Sequence, residues 1–90
     1  MSLKDQLIKK LESRMTALEK EADAKKAEAE KKQAEAETEE ASAAIKSELT
    51  EKIRSIQSDI ATVRTKLDEI KTAGEARMEE FKRQIGDWIG

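Results

Sequence analysis

Three pairs of neighbouring carboxylates, Glu39–Glu40, Asp68–Glu69 and Glu79–Glu80, come nearest in type and spacing to residues that do chemistry. Two carboxylates can hold a hard divalent cation through oxygen if both converge on one point. Adjacent positions on a helix do not face each other, so these pairs read as solvated acidic faces and no metal site is expected. The chain has no His and no Cys. That excludes imidazole bases, thiolate nucleophiles and the usual zinc ligands. Gly74, Gly86 and Gly90 lie too far apart to cradle a phosphate. No catalytic or cofactor-binding residue emerges, and the expectation is a protein that is not an enzyme.

A second kind of chemistry is recognition by an amphipathic helix. From Met78 to Ile89 the apolar positions Met78, Phe81, Ile85, Trp88 and Ile89 share one face, and both aromatic residues of the chain lie here. Trp is favoured where one side of a surface is apolar and the other wet. Lys82 and Arg83 flank that face, while Glu79, Glu80 and Asp87 dilute its positive charge. Phe81, Ile85, Trp88 and Ile89 are therefore candidate contacts. They either close the end of a self-associated bundle, meet a protein partner, or lie on a membrane surface.

The composition says which elements must position these residues. The 90 residues are 42% charged, 37% hydrophobic and 2% aromatic, with no Pro. The Ala, Glu, Lys and Leu bias is that of a coiled coil or long helix. Eighteen basic residues against 20 acidic, finely mixed, give a net charge of −2. Nucleic-acid binding is not expected without a basic stripe. No apolar run approaches the ~20 residues of a membrane span. The opening Met1-Ser2-Leu3-Lys4-Asp5 has no signal-peptide character, and a cytoplasmic protein is expected.

Heptads can be written in both halves. The first runs Ile8, Leu11, Met15, Leu18, Ala22 and Ala29, with Lys25 and Lys32 entering the same seam. The second runs Leu49, Ile53, Ile56, Ile60, Val63, Leu67 and Ile70 in unbroken 4-3 spacing. The two frames differ by three residues between Glu37 and Lys46. Either one continuous helix carries a stammer, or the chain turns back, with Thr38 or Ser42 capping the second helix.

Packing favours the turn. Folding near Ala41 sets the alanines of the first half against the isoleucines of the second, so large meets small across the seam. A parallel dimer of straight helices would stack alanine on alanine and lysine on lysine, burying little area. The expected fold is thus all-α: a long antiparallel helical hairpin, self-associating into a four-helix assembly. The alternative is one continuous helix in an antiparallel coiled-coil oligomer. The expected boundaries of this single coiled-coil domain are a first helix over about 3–38, a turn over about 38–44 and a second helix over about 45–88. Leu3, Leu7, Ile45 and Ile85 fall off the seam and are assigned to self-association. Residues 82–90 overshoot the first helix and need a partner. Gly74 is either a hinge, a site of close helix approach, or a helix end, with Thr72 and Glu75 in the positions of a capping box.

Two stretches, Leu7-Ile8-Lys9-Lys10-Leu11-Glu12 with Ala22-Asp23-Ala24-Lys25, and Lys66 through Ala76, resemble a family of small bacterial coiled-coil proteins. These are helix-only and largely uncharacterised, and some are labelled stress-response proteins. That family tends to carry tryptophans in its first helix and after the glycine. Here those places hold residues such as Met15 and Arg77. The resemblance implies a bacterial, stress-linked setting and carries no active site. The functional expectation is a structural or protein-interaction module that associates with itself. The alternatives are a peripheral membrane binder and an accessory subunit of a larger complex.

Overall fold

The structure, a computed structural model, describes residues 2–89, with side chains described for residues 2–86. The chain forms an all-α helical hairpin. Helix α1 spans Leu3–Glu35 and helix α2 spans Glu39–Thr72. A single 3-10 turn, Glu75–Arg77, leads into a third helix, α3, Met78–Ile89. The molecule measures 58 × 20 × 18 Å, and its length is close to the ~50 Å that 33 helical residues span.

Each helix begins where its side chains can satisfy the free backbone donors. Ser2 Oγ accepts from the Asp5 N–H at 3.1 Å, and Asp5 places negative charge on the positive end of α1. The reversal occupies Ala36, Glu37 and Thr38. Ala36 is extended, at φ −68° and ψ 129°, which stops α1. Thr38 Oγ1 then accepts from the Ala41 N–H at 3.1 Å, and Glu39 and Glu40 fill the first turn of α2. Across the reversal Gln33 Nε2 donates to the Ser42 carbonyl at 3.5 Å.

This turn is shorter and earlier than the expected 38–44. Thr38 is the cap, not Ser42, and a cap followed at once by two glutamates starts a helix without Gly or Pro. The change of register has a large consequence. Helices of 33 and 34 residues are now nearly equal arms, so α2 ends beside the start of α1. Lys4 marks the meeting, its Nζ donating to the carbonyls of Lys71 at 3.1 Å and Ala73 at 2.9 Å. A lysine ammonium there satisfies carbonyls that the end of a helix leaves free. The expected second helix over 45–88 is therefore two helices, and the second of them, α3, packs back against α1 instead of overhanging.

The core follows from this return. Its largest fully buried side chains are Leu11, Leu18, Ile70, Met78, Phe81 and Ile85. They join Leu7, Ile56, Val63 and Leu67 in one apolar cluster. Nearer the reversal Ala29 alone is buried among the described residues, and Ile45, Leu49 and Ile53 are half-buried. Three helices close one end of the molecule; two leave the other end thin.

Candidate interaction surface

The seam residues named from the heptads all face inward. Leu11, Leu18, Ala29, Ile56, Val63, Leu67 and Ile70 are buried. Ile8, Met15, Ala22, Leu49, Ile53 and Ile60 are half-buried. Of the two seam lysines, Lys25 is half-buried while Lys32 is exposed and paired with Glu28.

The positions assigned to self-association divide differently. Leu7 is 2% exposed and Ile85 fully buried, both inside the core of a single chain. Phe81, 2% exposed, is buried too. Phe81 and Ile85 are therefore not overhanging contacts: α3 turns its apolar face onto the hairpin instead of presenting it outward. The side chains of Trp88 and Ile89 lie outside the described residues. Ile45 is half-buried.

Phe81 is held from two sides. The Lys66 ammonium lies 5.4 Å and the Arg77 guanidinium 5.1 Å from its ring centroid, within cation–π range. Lys66 Nζ also donates to Glu69 Oε2 and to Gln84 Oε1, both at 2.9 Å. Gln84 Nε2 in turn donates to Glu80 Oε1 at 3.3 Å. One lysine on α2 thus grips α3 by a ring and an amide. No heptad could have exposed this, because it joins residues 18 apart through a bend.

The bend itself needs no special backbone. Gly74 is extended, at φ −79° and ψ 165°, a conformation open to any residue. A Cβ there would meet nothing within 4 Å. The close-approach reading of Gly74 is thereby corrected, and the helix-end reading fits. The capping-box reading also yields: the Thr72 hydroxyl donates backward to the carbonyls of Asp68 and Glu69, both at 3.1 Å. Gly86 has equally open space around it, in the interior of α3. Glycine inside a helix costs about 0.5–1 kcal/mol relative to alanine. Gly86→Ala is expected to raise stability by about that amount, read as a higher midpoint in thermal unfolding; a lower midpoint would mean that this position is not helical and exposed.

Toward the reversal the two helices leave an open cleft. Its floor is Ala29, Ile45 and Leu49, and its rim is Lys25, Glu28, Lys32, Glu48 and Lys52. Lys32 pairs with Glu28 at 3.1 Å and Lys52 with Glu48 at 3.0 Å. The helices run antiparallel, so Glu28 also feels Lys52, and Glu48 also feels Lys32. Two Glu–Lys pairs of alternating sign, with Lys25 beside them, thus frame an apolar floor.

Their titration reflects the pairing. The Lys32 hydrogen bond, then its charge, holds Glu28 below the usual value of 4.5. Lys52 does the same for Glu48, and the Glu48 hydrogen bond raises Lys52 above 10.5. The carboxylates' contribution to stability is present above 4.5 and fades as pH falls through their lowered values. The lysine's is present below 10.5 and fades as pH rises through its raised value. All of these groups are solvated, so the effect on stability is small.

Glu69 is engaged by Lys66 and Glu80 by Gln84. Among the described residues, no group of three or more acidic side chains is placed to hold a metal ion. Among them, too, no helix is long and apolar enough to cross a membrane. Comparisons with protein-family models, with curated proteins and with solved structures find no match to this chain.

Proposed function

We propose that this chain is a non-enzymatic coiled-coil module whose work is to associate with itself and so build a helical scaffold. The observation that carries the reading is the unequal core. Three helices bury most of the large apolar side chains at the terminal end, whereas Ala29 is the one buried apolar side chain among the described residues near the reversal. Ile45, Leu49 and Ile53 stay half-exposed there. Two helices cannot enclose residues of that size, and four-helix packing is the common solution. The resemblance noted in the sequence suggests, within this reading, a stress-linked role in a bacterial cytoplasm.

Recognition through the C-terminal helix finds less support. Phe81 and Ile85 are buried, so meeting a membrane or an accessory partner with them would require α3 to leave the hairpin. Sedimentation equilibrium on the full chain tests the proposal. A dimer or higher oligomer is expected at micromolar concentrations. A monomer that persists to high micromolar protein would refute it.

A further inference from the structure

The groove between α1 and α2 runs from the termini to the reversal, and α3 fills only part of it. Leu7 and Glu28 are three heptads apart on α1, and Lys66 and Lys52 are two heptads apart on α2. Residues a whole number of heptads apart share one flank of a coiled-coil helix. Leu7 is buried in the cluster that includes α3, and Lys66 is bonded to Gln84 of α3. The side chains of Glu28 and Lys52 are 52% and 46% exposed. Helix α3 therefore lies on the side on which the cleft opens, and the cleft is the unfilled continuation of its groove. One heptad further from the termini, Arg14 and Asp59 occupy the same flanks and are already exposed, so the cover ends before them.

We propose that a second copy of this chain covers the part of the cleft nearest the reversal, face to face and antiparallel, with the reversal of each copy pointing toward α3 of the other. This rests on the self-association reading and gives it a surface and an orientation. Charge selects the occupant. Besides Lys25, the rim carries a checkerboard of four charges, Glu28 then Lys32 toward the reversal on α1, and Lys52 then Glu48 on α2. A two-fold axis lying across the hairpin through these four residues brings Glu28 of one copy against Lys32 of the other. It likewise brings Glu48 against Lys52. The pattern is its own complement, as an isologous dimer requires.

Shape selects the orientation. A parallel arrangement would also oppose unlike charges, Glu28 to Lys52. It would, however, stack the α3 helices of the two copies at one end and hold the clefts about a helix diameter apart, roughly 10 Å. The antiparallel one staggers them. The axis lies about 9 Å from the reversal, roughly six residues along α1, so the two faces overlap for about 20 Å on molecules 20 Å across. That gives about 400 Å2 per copy and about 800 Å2 in total, the size of a weak, reversible contact steered by charge.

Sedimentation equilibrium on the full chain tests this with Glu28→Lys, Lys32→Glu and their equimolar mixture. Each variant alone faces like charge twice in the symmetric dimer and is expected to associate about tenfold more weakly than the parent. In the mixture each altered charge meets its opposite, and dimerisation is expected to return to the parent level. A folding defect would not be repaired by mixing. Variants that associate as tightly as the parent would show that this face is not the interface. A mixture as weak as its components would overturn the antiparallel pairing. A monomeric parent would overturn self-association itself, and this proposal with it.

Discussion

Phe81→Ala is expected to destabilise the chain by about 3–5 kcal/mol, the usual cost of emptying a buried phenylalanine site. At roughly 4–8 °C per kcal/mol for a domain of this size, the thermal midpoint falls by more than ~10 °C. The ring is the largest fully buried side chain among the described residues, and it lies between Lys66 and Arg77. Truncation leaves a cavity among Met78, Ile85 and the ends of α1 and α2. It also removes the ring over which both cations sit. Urea unfolding followed by circular dichroism measures the loss. A change below about 1 kcal/mol would mean that α3 is not docked in solution.

The second large effect is a gradient along the hairpin. Ile70→Ala is expected to cost about 3–4 kcal/mol and Ile53→Ala only about 1 kcal/mol. Both positions belong to one heptad seam, so sequence alone treats them alike. Ile70 is 0% exposed beneath α3, whereas Ile53 is half-buried between two helices. Chemical denaturation at dilutions where the chain is monomeric separates the two costs. Equal costs would contradict the unequal core. The same gradient predicts where the native state opens first: amides near Thr38 should exchange before those near Leu11 and Ile70.

The fold class was legible because heptads report burial directly. Leu49 through Ile70 repeats so regularly that α2 could hardly be anything else. The three-residue frame shift located the reversal to within a few residues, but its position depended on which hydroxyl capped α2. Thr38 and Ser42 both qualify by type; Glu39 and Glu40 decided between them through the charge at the helix end. That small displacement governed everything after it. A turn at Ala41 leaves an overhang looking for a partner. A turn at Ala36 to Thr38 makes the arms nearly equal, and the same apolar face of Phe81 and Ile85 closes the core of its own chain.

The candidate surface was less legible. Glu28–Lys32 and Glu48–Lys52 each read as a pair that stabilises its own helix. Only the antiparallel register shows that together they frame an apolar floor of Ala29, Ile45 and Leu49. Ile45 was invisible as a floor residue because it falls outside the 4-3 pattern. The clasp of Lys66 on Phe81 and Gln84 was equally hidden, since it depends on how the chain bends at Ala73 and Gly74.

A distance between two copies tests the central claim, that this module meets itself through the open face beside its reversal. The chain contains no cysteine, so Lys31→Cys carries a single spin label on an exposed position beside the charged rim. Electron–electron dipolar spectroscopy at high micromolar protein is expected to show one interchain distance on the order of 20 Å, about two helix-packing distances. A spectrum without interchain coupling, or with labels separated by the length of the hairpin, would contradict the account.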